Sequence, residues 1–569
     1  MSPWTSPEIL PPEVELLVRR WRLPATRVTE VKRLLAAQAD GGTAVEMPPT
    51  TPGTAEAWGE ACAIAPPDGP RPLVLRRFRD RIFLQAWRFF TAEQAIARAL
   101  LTRAVQPAPA TGRAPDALLA DLGPGQVNAQ QARAVGAALT HALTLITGGP
   151  GTGKTHTLAR LLALLIAADP ERPPVIHLTA PTGKAADRMK EAVEAAADRL
   201  PETLPGATRE RLKSAAAGAV TLHRLLGFNP GTGRCRYHAG ETLRSDVVIV
   251  DECSMVDTLL WQALLAALPP TTRLVLLGDP NQLESVAAGD VLGSLVRFAA
   301  RESGGALRAV WIELTESQRF RHRPGIGRLA NAVVHSAPDE AVGLLRENAV
   351  TNQAAVAASG LAWLGDHGAR ATWERLPAAV QSALVAVADA REPDDALAAL
   401  GRVRLLSAHR EHAMGVAGLN AAIQHHLSLR SGASRAPNLP VIINHNDPET
   451  GLKNGSVGVI MQVAGVRAAF FPAPAWGGAP VRVPLSRLPA YSSAWALTIH
   501  RSQGSEFDLV VVVLPAEESP LATRELIYTA ITRAREQVYV WGAEATVRAA
   551  LGERALRCTL LEASLEAVV

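Results

Sequence analysis

The stretch 143–165 constrains this chain more than any other. Leu143 to Thr147 is apolar enough for a buried strand, Gly148 to Thr155 reads GGPGTGKT, and Leu158 to Leu165 has a helical pattern. Gly148–Thr155 fits the phosphate-loop spacing of glycine, four residues, then Gly-Lys-Thr. Gly148, Gly149, Gly151 and Gly153, with Pro150 and Thr152 between them, let backbone N–H groups turn inward around phosphate oxygens without a Cβ clash. The helix that begins near Lys154 aims the positive end of its dipole at the same point. Lys154 is placed for the β- and γ-phosphates of a nucleotide, and the Thr155 hydroxyl for Mg²⁺.

Such a unit belongs in a parallel α/β sheet, and the chain supplies one. Apolar strands recur at 143–147, 175–180, 247–250 and 274–277, with helical stretches between them. Ligands of such sheets bind at the carboxyl ends of the strands, and polar clusters fall there. Val248–Val250 ends in Asp251 and Glu252, one carboxylate to help position Mg²⁺ and one to orient and deprotonate a water. The next strand ends in GDPNQ, and Gln282 is placed to sense the γ-phosphate or its water, although an Asp-Pro-Asn turn needs no function. A second set of strands, 403–407, 509–514 and 538–541, forms a second α/β layer after the alanine-rich helical stretch 331–400. Between them, short strands at 440–443, 457–463, 468–471 and 481–483, with Asn-Asp, Asn-Gly and Gly-Gly turns, read as a small β-barrel insertion at about 430–490.

A chain of 569 residues has room for roughly three to four domains. The expected division is a mostly helical N-terminal domain at 1–110, a first α/β domain at 111–330 and a second at 331–569. Pro11 to Trp21 is helical in pattern, Pro48–Gly53 and Pro66–Pro72 are turn-rich, and 73–84 reads as two strands about an Arg79-Asp80 turn. Arg76, Arg77, Arg79 and Arg81 read as a solvated hairpin face or a partner surface. Pro107–Pro124 reads as a linker. The net charge of +4 permits nucleic-acid binding without demanding it. The four cysteines, Cys62, Cys235, Cys253 and Cys558, lack metal-ligand spacing. With no secretory signal and no apolar stretch of membrane-span length, the expected location is the cytoplasm.

The ordered series of motifs resembles the superfamily 1 helicases, and among them the RecD family, the alpha subunits of RecBCD-type exonuclease V. It runs through GGPGTGKT at Gly148, APTGKAA at Ala180, TLHRLLG at Thr221, DECSM at Asp251, GDPNQ at Gly278 and QRF at Gln318. It continues with GVAGLN at Gly415, LKNG at Leu452, WALTIHRSQGSEF at Trp495 and RELIYTAITRAR at Arg524. The resemblance implies two RecA-like phosphate-loop domains with an SH3-like barrel insertion. It implies an ATP-dependent 5′-to-3′ DNA translocase and helicase that joins RecB-like and RecC-like subunits, acts on single-stranded and duplex-end DNA, and serves double-strand break repair. No acidic cluster with nuclease spacing is present, so strand cutting is expected in a partner.

The resemblance also implies roles. Gln131 would read the adenine edge, and Arg319 and Arg533 would reach the γ-phosphate from across the cleft between the two domains. Thr182, Thr221, His223, Asn454, Thr498 and His500 would lie beside the DNA strand, where hydroxyls and imidazoles suit phosphate oxygens and carry no sequence information. Gln503 and Gly504 would couple that track to the nucleotide. Cys253 stands where the family usually has Ala, and Arg501 where Lys is common; neither removes a catalytic group. Two other readings fit the residues: a stand-alone 5′-to-3′ helicase of the same branch, and a nucleotide-dependent switch that binds DNA without moving.

Overall fold

The computed structural model describes residues 12–48, 57–58, 61–65, 69–366, 373–431, 436–473, 478–517, 519–552 and 557–569. Pro11, most of the turn-rich stretch Pro48–Gly53, part of Pro66–Pro72 and part of the Gly-Gly turn near 477 lie outside them.

The phosphate-loop strand Leu143–Gly148 lies inside a six-stranded sheet in the order Trp311–Leu314, Leu143–Gly148, Arg273–Gly278, Val247–Val250, Ile176–Ala180, Val220–Thr221. Every pairing is parallel. Side chains of one strand alternate between two cores because the strand repeat is two residues. Leu145, Val248 and Leu276 face one core with Trp261 and Phe298, while Ile146, Ile249 and Val275 face the other with Leu158 and Leu162 of the helix Lys154–Ala168. The edge strands Trp311–Leu314 and Val220–Thr221 escape the periodicity reading because each is short.

The second sheet has five parallel strands in the order Leu361–Gly365, Ala534–Trp541, Phe507–Val513, Val403–Ser407, Ala496–Thr498. Val510 to Val513 are fully buried in it, as a continuous apolar run in a parallel sheet requires. The insertion is a five-stranded antiparallel sheet, Val481–Pro484, Val466–Phe471, Val457–Val463, Leu439–Ile443, Tyr491–Ser493. Among the described residues its strand order is linear, with Val481–Pro484 and Tyr491–Ser493 as the two edges, and no pairing closes it into the expected barrel.

The N-terminal region combines helices with a four-stranded sheet, Ala44–Glu46, Arg81–Ala86, Leu73–Phe78, Cys62–Ile64. Arg79 and Asp80 have φ of 48° and 60°, the two successive left-handed residues of a tight hairpin turn. Two expectations are corrected here. Arg76 is not on a solvated face: it is 6% exposed, packs over the Phe90 ring and pairs with Glu93. Pro107–Pro124 is not a free linker, because it holds the helix Pro115–Ala120, whose Leu118 joins Leu122 in the core under the first sheet. The helix Trp87–Val105 also packs inward, with Ile96 and Leu100 in the core that holds Leu143 and Leu145.

The C-terminal helix Leu561–Glu566 returns to this region, 9 residues after the described end of Glu544–Gly552. Glu93 anchors the return. Fully buried, it accepts from Thr43 Oγ1 at 2.6 Å, Gln85 Nε2 at 2.8 Å and Leu560 N at 3.2 Å. Removing a charged partner from such a buried network leaves Arg76 uncompensated. Glu93→Ala is therefore expected to cost about 3–5 kcal/mol of local stability. Hydrogen exchange reads this as lost protection in 73–86 and 557–566; unchanged protection there would refute the assignment of Glu93 as the anchor.

Candidate active site

The phosphate loop is shaped by what packs beneath and beside it. A Cβ on Gly153, which has φ of +87°, would lie 2.4 Å from Gln131 Nε2, and one on Gly151, with φ of +77°, would lie 2.3 Å from Arg319 Cβ. Only glycine fits either position, on backbone conformation and on space. Gln318 N donates to Gly151 O at 2.9 Å and Ser317 Oγ to Pro150 O at 2.9 Å, so the segment after strand Trp311–Leu314 is laced to the loop. Lys154 Nζ donates to the carbonyls of Gly148 and Gly149 and so lies folded along the loop.

Around the loop is a cavity of about 270 Å³. From the first α/β unit it is lined by Gly149 to His156, Arg188, Asp251, Glu252, Gln282 and Arg319; from the second come Gly504, Glu506 and Arg533. The residues expected to handle the phosphates thus meet in one place although Lys154 and Arg533 stand far apart in the chain. Glu252 has φ of 52°, a left-handed conformation that costs a non-glycine residue about 1–3 kcal/mol and that marks functional sites. Its N–H donates to Asp251 Oδ1 at 2.8 Å. Burial, and then the Glu252 charge, raise the Asp251 carboxyl, and Lys154 opposes them.

Arg319 differs from its expected origin. It does not come from across the cleft: its backbone, in the short helical turn Arg319–His322, lies on the phosphate loop of the first unit. Its side chain reaches the second unit, donating to Glu506 Oε1 at 2.6 Å and Thr532 O at 3.4 Å. Glu506 also pairs with Arg188 at 2.7 Å and Arg535 at 3.3 Å. Burial alone would raise Glu506, but the guanidiniums of Arg188 and Arg319 outweigh it and hold the carboxyl far below the usual range.

Arg533 approaches from the second unit and is 3% exposed. It donates to Gln282 Oε1 at 2.8 Å, while Gln282 Nε2 donates to Asp279 Oδ2 at 3.1 Å. Tyr528 OH donates to the same Asp279 oxygen at 2.9 Å, and the hydroxyl sits where a Cβ on Gly149 would be 2.9 Å away. Sequence reading missed Arg188, Asp279 and Tyr528, and gave Glu506 no role beyond its place in the motif at Trp495. Arg188 follows Lys184 by four residues on the helix Gly183–Ala197, one turn along the same face. No spacing links Tyr528 to Asp279.

The other expected residues are placed as follows. Gln131 does not line the cavity. Its amide forms a capping box with Asn128 and approaches Thr152 O at 3.5 Å, so contact with adenine requires exchange of these partners. Thr182 and Thr221 cap helices, accepting from Ala185 N and Arg224 N, at the carboxyl ends of adjacent strands. His223 packs edge-on against Phe228 at 5.2 Å. Asn454 is exposed in the insertion, beside a Lys453–Asp187 ion pair of 2.9 Å that joins the insertion to the first unit. Thr498 is largely buried and lines a second cavity of about 760 Å³ with Arg410, Asn444 and Arg501. His500 is exposed on the turn that follows, and Gln503 donates to Leu283 O at 3.3 Å. The run Thr498–Gly504 therefore connects the second cavity to the nucleotide cavity.

An AAA domain model matches residues 131–288 and a UvrD-like helicase C-terminal domain model matches 493–541. The RecBCD enzyme subunit RecD of Mycolicibacterium smegmatis is 40% identical over 528 residues, covering 90% of this chain and 87% of that protein. The RecBCD enzyme subunit RecD of Haemophilus influenzae is 32% identical over 467 residues, 74% of this chain and 70% of that one. The ATP-dependent RecD2 DNA helicase of Deinococcus radiodurans is 30% identical over 429 residues, 74% of this chain but 50% of that one. On its phosphate loop, its facing arginines and a likeness that spans nearly its whole length, the chain belongs to the RecD family.

Proposed function

We propose that this chain is an ATP-driven DNA helicase, the alpha subunit of a RecBCD-type enzyme, moving 5′ to 3′ on single-stranded DNA. One observation carries the reading: a single cavity takes Lys154, Asp251, Glu252 and Gln282 from one α/β unit and Gly504, Glu506 and Arg533 from the other. A nucleotide held there touches both units, so its arrival, hydrolysis and release change the distance between them.

Lys154, the loop N–H groups and the helix Lys154–Ala168 would hold the phosphates. Thr155 and Asp251 offer the hard oxygen donors that suit Mg²⁺. Among the described residues no group of three His, Cys, Asp or Glu could hold a metal alone, which fits an ion bound largely by phosphates and water. Bound there, it would neutralise charge on the phosphates. Glu252 would orient the attacking water and take its proton. Gln282 would report the γ-phosphate, and Arg319 and Arg533 would stabilise the charge on the group in transfer. Each arginine must leave a present partner to do so, Glu506 for Arg319 and Gln282 for Arg533.

DNA would run over Thr182, Thr221, His223, Asn454, Thr498 and His500, which lie outside the nucleotide cavity. RecB-like and RecC-like chains would supply the nuclease, a second motor and the rest of the enzyme. The subunit reading is favoured over a stand-alone helicase because the likeness to the RecD subunit of M. smegmatis, 40% identical over 528 residues, is stronger than that to RecD2, 30% identical over 429 residues. Among the described residues no helix is long and apolar enough to cross a membrane, and the proposed site of action is the cytoplasm, with the chromosome.

Three outcomes are expected. Lys154→Ala abolishes DNA-stimulated ATP hydrolysis by this subunit, and Arg533→Ala lowers its kcat by about 10³-fold or more, measured in the complex with the other motor disabled. Normal unwinding by Lys154→Ala would leave only the switch reading. In the same complex, duplexes with a 5′ tail are unwound and those with a 3′ tail are not; the opposite result would reverse the polarity.

A further inference from the structure

Three segments remote in sequence meet at Arg557. Its Nε lies 2.9 Å from Glu284 Oε2, and its Nη1 donates to Ala287 O at 2.8 Å, Gly289 O at 3.3 Å and Ser285 Oγ at 3.4 Å. The guanidinium lies flat against Gly41, where a Cβ would be 2.4 Å from Cζ. Gly41 O in turn accepts from Gly289 N at 2.8 Å, and the N–H groups of Thr43 and Ala44 donate to Cys558 O at 2.9 and 3.1 Å. The C-terminal segment, an N-terminal loop and the loop 283–289 are thus tied at one guanidinium, whose side chain is 18% exposed.

The loop 283–289 begins directly after Gln282, which lines the nucleotide cavity. Its first residue is held by the second α/β unit: Leu283 N donates to Thr529 Oγ1 at 2.9 Å, and Leu283 O accepts from Gln503 at 3.3 Å. Its last residue is packed so that a Cβ on Gly289 would lie 1.9 Å from Thr258 Oγ1. Between these fixed ends Arg557 is the cation that gathers the loop's side-chain and carbonyl oxygens. Gln282 is set by hydrogen bonds with Arg533 and Asp279, and small misplacements of groups in such a cleft are costly in rate.

We propose that Arg557 is a positioning residue for ATP hydrolysis. It clamps the 283–289 loop so that Gln282 is set in the cleft, and it makes that setting depend on the docked N-terminal loop and C-terminal segment. The inference rests on the ATPase reading above. Its chemistry is specific to arginine, since the planar fork meets Glu284, two carbonyls and the Ser285 hydroxyl at once, where a lysine ammonium would meet fewer.

The test uses the full chain in its complex with the other motor disabled. Arg557→Gln is expected to lower the DNA-stimulated kcat by about tenfold while KM for ATP stays within about twofold, because the phosphate loop is untouched. Arg557→Lys recovers part of the loss. Glu284→Gln adds little loss in the Arg557→Gln background, as expected for two residues acting through one contact. Hydrogen exchange rises in 283–289 and is unchanged in the strand Leu143–Gly148. A wild-type kcat in Arg557→Gln, a loss that follows only the folded fraction, or no recovery with lysine would overturn the positioning role. A parent complex without DNA-stimulated hydrolysis by this chain would instead overturn the motor reading, and this one with it.

Discussion

The structure depends on how charge is accommodated in the cleft between the two parallel sheets. Arg188, Arg319 and Arg533 point into a space of about 270 Å³ that also holds Asp251, Glu252 and Glu506. Ions removed from water must be paired or hydrogen-bonded, and each arginine here is: two by Glu506, one by Gln282 and carbonyls. These partners are also what a phosphate would displace. On the proposed reading, nucleotide binding would then be linked to how the units are held together. Asp279 is buried, takes bonds from Gln282 in its own unit and Tyr528 in the other, and ties Gln282 to the helix Arg524–Ile531 that leads into Arg533.

Much of this was legible in the sequence because it is local. The glycines of the phosphate loop answer to φ and to close neighbours, the carboxylates of Asp251 and Glu252 to the end of a strand, and the parallel strands to continuous apolar runs. Two α/β units and an antiparallel insertion followed from those signals. What was not legible is contact between segments that only the fold brings together. The Tyr528–Asp279 bond spans 249 residues and the bond from Leu560 to Glu93 spans 467, and the arginines on Glu506 include the remote Arg188. Gln131 shows the opposite limit: it packs against the loop at Gly153, but its amide is already committed to the cap of its own helix. The short strands Leu361–Gly365 and Ala496–Thr498 were hidden because neither is long enough to show a period.

The two α/β units touch at the cleft and again at the insertion, and these contacts differ in what separating them costs. At the cleft, Gln282, Asp279, Tyr528 and Arg533 are all at least nine-tenths buried. Parting them leaves polar groups unsatisfied in a dry environment, at about 1–3 kcal/mol for each uncharged group and more for each ion. At the insertion, Lys453 and Asp187 are 51% and 57% exposed, so the pair contributes about 0–1 kcal/mol and water replaces either partner readily. Without a compensating ligand, opening is therefore cheaper on the insertion side, where Thr182 and Asn454 lie, than on the nucleotide side. On the proposed reading, a phosphate taking the place of Glu506 on Arg319 would narrow that difference. The ordering itself follows from burial: the exposed contact parts into water at little cost, and the buried one does not.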